Sequence, residues 1–334
     1  MGLLWAAKAL QGGSSCSLLM RPTTKPRFNL DTFAKQSSQS IDFSYRTLNQ
    51  SQSISFSVES VPINHLLEDS IDNLIVATKA YQMEAAILDV LPALNNNANI
   101  IGLCNGLGIQ QRVQNILKNQ ENDFNIFWAL SNDGAIKNGE KNNGFSVTQT
   151  GFGVTAIGNL DKNTGVNSAI RLKHLLDWPL ELQICDPITP QLWKKFFINC
   201  AINPLTAFYG CKNGELYSIA NYRLHFDSLI EELEVVAKKL DWNRLNQEEN
   251  RSPSGYDFDI KDSIYNVAQQ TAENHSSMWK DFKHNRPNEL NFLNGYLSKL
   301  GASLNCDLAI NQSLVQQLQS KGFGAANRSD STNI

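Results

Sequence analysis

The chain reads as an α/β domain built on a parallel sheet, followed by an all-helical domain. Three observations predict this. Between Asn73 and Leu130, short apolar runs of the buried-strand type alternate with helical stretches, which is the βαβ pattern. After Pro187 the strand-like runs stop, and helical periodicity continues to about residue 318. Trp193–Thr206, reading WKKFFINCAINPLT, is apolar on nearly every side, as expected of a helix at the centre of a core.

A length of 334 residues accommodates two domains, and 42% hydrophobic with 18% charged residues supplies an ample core. The net charge of −3 provides no global field for nucleic acid or an anionic membrane, so an anionic ligand needs a locally built site. The six cysteines form no CxxC pair, and the five histidines complete no metal-ligand spacing, so no metal is expected. A reduced, cytoplasmic protein fits this usage. MGLLWAAKAL at the start is too short, and too interrupted by Lys8, for a secretory leader; it reads as an amphipathic helix. No apolar run reaches the ~18–20 residues of a membrane span.

Taken in order, residues 2–10 form a helix stopped by Gly12-Gly13, and Cys16–Met20 a short strand ending at Arg21. The Ser- and Gln-rich stretch 34–53 should be a solvated meander around two β-like pieces, Ile41–Tyr45 and Ile54–Val58. Asn73–Thr78 is a buried strand, followed through Lys79 and Gln82 by a helix to about Leu91. A strand at Asn99–Cys104, the turn Asn105-Gly106-Leu107-Gly108 and a helix to about Leu117 repeat the unit. Phe124–Leu130 is the next strand, and 137–143 a polar loop. Phe145–Val147 and Val154–Ile157 are expected to pair as a hairpin layer, before a helix over 164–176 and a last strand, Leu180–Cys185. The helical part comprises 189–203, 218–240, 259–272, 275–284, 288–304 and 309–320. Domain limits of 1–186 and 187–320 follow, with a polar tail over 321–334. Ligands of such folds bind at the carboxyl ends of the strands, where Lys79 and Asn105 fall.

The helix at 193–206 carries the chemistry. At ~100° per residue, Lys195, Asn199 and Asn203 fall on one stripe of an otherwise apolar barrel. Taken singly, each is a satisfied buried amide or a snorkelling lysine. Three in register each need a partner, at ~1–3 kcal/mol per unmet group, and a ligand with a hydroxyl and a carbonyl would supply all three. Pro204 is expected to kink or end the helix just beyond the stripe.

Five blocks in a fixed order now become specific: VATKAYQ, LCNGLG, WKKFFINCAINPLTA with CKNGEL, ENHSSMWKDF, and PNELNFLNG. Together they resemble the ketopantoate reductases, over nearly the whole chain from Gly2 to about Leu318. The resemblance implies a Rossmann-type first domain and NADPH-dependent reduction of 2-dehydropantoate to (R)-pantoate on the route to pantothenate and coenzyme A. It implies that Lys195 donates the proton and that Glu289 sits beside it as the acidic partner. Asn199, Asn203 and Asn213 match substrate-binding amides. Ser277, with Asn274, matches the group receiving the substrate carboxylate. Asn105 matches the residue touching both nicotinamide and substrate, and Lys79, Gln82 and Ala135 match cofactor contacts. Arg21 matches the selector of the 2′-phosphate. Gly2 matches the third glycine of the family's G-x-G-x-x-G turn, and the chain as given lacks that family's first strand and first two glycines. Weak NADPH binding by this chain is expected on that count.

The partners implied are a small 2-oxo acid bearing a hydroxyl and, as one assembly, a homodimer. Two other readings stay open: reduction of another 2-oxo acid, and a non-enzymatic remnant that holds a pantoate-like ligand without turnover.

Overall fold

The computed structural model describes residues 1–20, 39–138, 145–160, 172, 176–240, 242 and 259–322. Arg21, most of the expected helix over 164–176, residues 139–143 of the polar loop and the tail from 323 lie outside the described residues. The chain divides into two compact units. The first comprises Met1–Thr78, Met83–Leu103 and Val113–Ile188; the second comprises Lys79–Gln82, Cys104–Arg112 and Thr189–Ile334. The segments directly after two strands thus pack with the helical part of the chain.

The first unit holds helix α1 (Gly2–Gln11) and two five-stranded sheets. Strands β4 (Ile71–Val76), β5 (Leu94–Leu103) and β6 (Phe124–Ser131) run parallel, with Leu74 opposite Ile100 and Ile100 opposite Ile126. Their continuous apolar runs are those of strands covered on both faces. The same sheet ends with β9 (Thr155–Gly158), antiparallel to β6, and β10 (Leu182–Ile184), parallel to β9. Helices α2 (Ala80–Val90) and α3 (Ile109–Lys118) follow β4 and β5 as crossovers.

The other sheet has the order β1 (Ser17–Met20), β3 (Ile54–Pro62), β2 (Gln39–Thr47), β8 (Phe145–Gly151), β7 (Gly134–Asn138). Two expectations are amended here. The β-like pieces at 41–45 and 54–58 are strands β2 and β3, but they lie in the middle of this sheet with one face buried, where a solvated meander was expected. Alternate residues Ile41, Phe43 and Tyr45 are buried and pack with Val58, Phe145, Val147 and α1, while Asp42 and Ser44 between them take the other face. Nor do residues 145–147 and 154–157 form a hairpin: β8 pairs with β2 and β7, β9 with β6 and β10. The chain changes sheets between them at Gly151–Gly153. Asp133 fixes the crossing by accepting from Gly153 N at 3.1 Å, Gln149 Nε2 at 3.0 Å and Ser131 Oγ at 3.0 Å.

Helix α1 faces both sheets. Leu4, Ala6 and Ala7 join the core of the β1–β3–β2–β8–β7 sheet. Trp5 joins Ile101, Leu103, Phe127, Ala129 and Ile157 of the other.

The second unit is helical apart from the two short segments. Its axis is α4 (Thr189–Tyr209), buried at Trp193, Phe196, Phe197, Cys200, Ala201 and Ile202. Around it lie α5 (Glu215–Ser218), α6 (Ala220–Lys239), α7 (Ile260–Gln270), α8 (Ser277–Lys283), α9 (Asn294–Ser303) and α10 (Ala309–Ser320). Asp259 caps α7 through Asp262 N, and Ser276 caps α8 through Trp279 N. Glu232 takes the first amides of α10, Ile310 N at 2.7 Å and Asn311 N at 2.8 Å.

Pro204 does not end α4, because the helix runs on to Tyr209. A proline lacks the N–H that would bond to the carbonyl four residues back, here Cys200. That carbonyl instead accepts from Asn294 Nδ2 at 3.0 Å, so the loss is made good from α9.

Candidate active site

The stripe on α4 becomes more buried along its length. Lys195 and Asn199 are half-buried and Asn203 is 9% exposed, with apolar side chains on either side. Beyond α4 the chain turns at Cys211, whose N–H bonds to Thr206 O, and presents Asn213. The Asn213 backbone N–H bonds to Asn274 O at 2.9 Å, and its Nδ2 to Thr271 Oγ1 at 2.8 Å. Its Oδ1 is buried without a partner, a polar atom turned toward nothing the described residues supply. Ser276, not Ser277, is the buried hydroxyl. It accepts from Thr206 Oγ1 at 2.7 Å and so ties α4 to the start of α8. Ser277 and Asn274 are both exposed beside it.

A second group forms around Glu289. The Lys79 ammonium bonds to Asp281 Oδ2 at 2.9 Å and lies 3.4 Å from Glu289 Oε2, and Ala80 N points to Glu289 Oε1 at 3.4 Å. Arg286 reaches the other oxygen of Asp281 at 3.1 Å. Both carboxylates are nearly closed off, 6% exposed at Asp281 and 5% at Glu289. Glu289 therefore sits at the amino end of α2, where its charge meets the positive end of the helix dipole. Burial works against the charge on Lys79, but Glu289 and then Asp281 outweigh it and raise its pKa above the usual lysine value.

Glu289, expected beside Lys195, bonds to the ammonium of Lys79, a residue expected among the cofactor contacts.

The turn after β5 packs against the same segment. Gly106 adopts φ +89°, and a Cβ there would meet Phe292 O at 2.7 Å. Leu107 N bonds to that same carbonyl at 3.1 Å. Asn105 is half-buried in this turn, next to Cys104. The Cys104 thiol is pushed far up by burial and further by Glu289, while Lys195 pulls the other way.

Of the remaining candidates, Gln82 is exposed on the first turn of α2, and Ala135 packs against the core of the sheet it belongs to. Gly2 opens α1 with its Cα facing Ala77, where a Cβ would stand 3.4 Å from that methyl. No side chain caps α1, and the neighbouring Thr78 Oγ1 is buried without a partner. An uncapped helix start next to an unmet hydroxyl suits a phosphate group. Among the described residues no cluster could hold a metal ion, and no helix is long and apolar enough to cross a membrane.

Asp281, Arg286 and Cys104 were not singled out from the sequence. All three lie within or beside the matched blocks, yet nothing in the spacing tells Asp281 of WKDF from an exposed helix charge.

Family models agree with this architecture along most of the chain. Ketopantoate reductase PanE/ApbA matches residues 1–162, and Ketopantoate reductase PanE/ApbA C terminal matches residues 187–322. A 2-dehydropantoate 2-reductase of Vibrio cholerae is 30% identical over 253 residues, covering 74% of this chain and 77% of that protein. One from Yersinia pestis is 27% identical over 257 residues, covering 77% and 76%.

Among solved structures, the probable 2-dehydropantoate 2-reductase of Bacillus subtilis aligns with a TM-score of 0.65 at 22% identity, covering 96% of both chains. D-mandelate dehydrogenase with NADH and anilino(oxo)acetate aligns at 0.72 and 18%, covering 96% of this chain and 95% of that one. The structural likeness defines the class, a Rossmann-like α/β unit followed by a helical one. The sequence matches go further: the chain belongs to the ketopantoate reductase family of oxidoreductases.

Proposed function

We propose that this protein reduces the C2 ketone of 2-dehydropantoate to (R)-pantoate with NADPH, in the synthesis of pantothenate and coenzyme A. The observation that carries the reading is the stripe on α4, where one ammonium and two amides stand in register on a helix otherwise buried in apolar core. The bound nicotinamide supplies hydride to the ketone carbon. The chain's own part begins at the oxygen, where negative charge develops as the hydride arrives. Lys195 stabilises that charge and gives up a proton to it, help worth ~10²–10⁴-fold.

Asn199, Asn203 and the unmet Oδ1 of Asn213 pair with hydroxyl groups without adding charge, which suits a substrate that is already an anion. Ser277 and Asn274 take its carboxylate. Glu289, held by Lys79 and Ala80 N, serves in this reading as the acidic partner beside Lys195. On the cofactor side, Gly2 at the uncapped start of α1 and Thr78 receive phosphate, with Asn105, Gln82 and Ala135 as further contacts. Arg21 selects the 2′-phosphate.

The test is NADPH oxidation with ketopantoate, and with 2-ketoisovalerate, which lacks the hydroxymethyl group and so the alcohol. Ketopantoate should be preferred by ~10-fold or more, because the amides lose a partner in the analogue. Lys195→Ala should lower kcat by ~10²-fold or more, with NADPH affinity, read by tryptophan fluorescence, largely kept. Equal use of the two acids would favour a reductase of another 2-oxo acid. Ketopantoate binding without NADPH binding or turnover would leave a ligand-binding protein.

A further inference from the structure

We infer that Asn294 is a positioning residue for the substrate stripe, acting in place of the backbone donor that Pro204 lacks. The inference rests on the reading of α4 as the substrate-facing helix. Three observations lead to it. First, Pro204 lies inside α4, immediately after Asn203, and the helix is nevertheless unbroken from Thr189 to Tyr209. A proline in a helix interior removes one backbone bond and drives its ring against the carbonyl four residues back. Both effects fall on Cys200 O, between Asn199 and Asn203.

Second, that carbonyl accepts from Asn294 Nδ2 at 3.0 Å, a side-chain N–H serving the acceptor that the backbone N–H would have served. The second hydrogen of the same amide goes to Asn311 Oδ1 at 2.8 Å. Asn311 Nδ2 in turn donates to Asn294 O at 3.1 Å and to Ser298 Oγ at 2.8 Å. Asn294 and Asn311 are both completely buried, so the pair is held from α9 and α10 with no water to compete.

Third, Asn294 Oδ1 is buried without a partner. A side chain whose acceptor goes unused while both its hydrogens are engaged is placed there for its donors. Aspartate would offer no donor and leucine none, so the amide is the chemistry the position requires.

The consequence concerns geometry. Without the α9 donor, the turn from Cys200 to Pro204 has a buried carbonyl with nothing to bond and a ring pressing on it. The relief available is a bend that rotates Asn203 relative to Asn199 and Lys195. Asn294 is thus expected to act on substrate binding through α4, without touching substrate.

A double-mutant cycle on the full chain tests this, using Asn294→Ala, Pro204→Ala and both together. Alanine at 204 restores the N–H that Asn294 replaces. Asn294→Ala should lower the thermal midpoint and raise the KM for ketopantoate by about 10-fold, with the KM for NADPH unchanged. Adding Pro204→Ala should recover a large part of both losses. Asn311→Ala, which disturbs the same buried network without removing the donor to Cys200, should lower the midpoint with no recovery from Pro204→Ala.

Additive midpoints in the Asn294–Pro204 cycle would overturn the inference. So would coupled midpoints with an unmoved KM for ketopantoate, since the network would then be structural only. Absence of ketopantoate reduction by the unaltered chain would instead sink the functional reading, and the midpoints would still report whether Asn294 replaces the proline's missing donor.

Discussion

Lys79 holds two buried carboxylates by one ammonium, and its removal should be felt more in stability than its partial exposure suggests. Water reaches 35% of its side chain but only 9% of that of Asp281 and 6% of that of Glu289. Lys79→Met would leave Asp281 with Arg286 alone and Glu289 with the start of α2. The expected loss is about 2 kcal/mol, under the ~3–5 kcal/mol of a broken buried pair because solvent screens the ammonium. The sign of the pH dependence follows from the raised lysine pKa. A raised folded-state value stabilises fully below the unfolded value of about 10.4, and the stabilisation is lost as pH rises through the higher folded value. Urea midpoints for Lys79→Met should therefore lie below those of the parent at pH 7–9, and the gap should narrow above pH 10.5. At this scale the sequence was informative about residue types and silent about partners. Lys195, Asn199 and Asn203 could be grouped because one helical period relates them. Lys79 and Asp281 are 202 positions apart, and no local pattern records that pairing.

Among the elements, the turn after β5 shows how a motif read as a turn signal also fixes the segment bearing Glu289. Gly106 and Gly13 share a left-handed backbone, φ +89° and +80°, but a Cβ at Gly13 would meet nothing within 4 Å. Gly13→Ala thus measures the backbone cost alone, about 1–2 kcal/mol. Gly106→Ala should cost visibly more, since its methyl would press on Phe292 O, the carbonyl that also receives Leu107 N. It should also lower kcat/KM for ketopantoate, whereas Gly13→Ala should not; steady-state kinetics beside unfolding curves decides this. Equal costs and equal kinetics would mean that the 290–292 turn yields freely and does not fix Glu289. Helix α4 makes the complementary point about legibility. Its periodicity gave the burial and the polar stripe, but not the continuation past Pro204, because the donor to the carbonyl the proline leaves unserved comes from a helix 90 positions further on.

Across the first unit, strand identity was readable and sheet membership was not. Most strands announce themselves within about six residues by alternation or by an apolar run, but β7 did not, and its residues 137 and 138 read as part of a polar loop. The pairing of β2 with β8 joins segments about 100 positions apart, and nothing local to Phe43 states that Phe145 lies opposite it. The Ser- and Gln-rich surroundings of β2 made a central strand look solvated, although its alternation already marked it as β-like. The element that unites this unit is α1, because it contributes Leu4 and Ala7 to one sheet's core and Trp5 to the other's. Trp5 is 1% exposed and meets Trp178 edge-on, with ring centroids 6.1 Å apart. Trp5→Ala should cost ~3–5 kcal/mol, and Leu4→Ala ~2–5 kcal/mol. Their distribution is the more telling measurement. If α1 couples the sheets, Leu4→Ala should reduce amide hydrogen-exchange protection in β5 and β6, a sheet whose core does not include Leu4. Protection lost in β2 and β8 alone would mean that the two sheets open separately, with α1 lying across them without joining them.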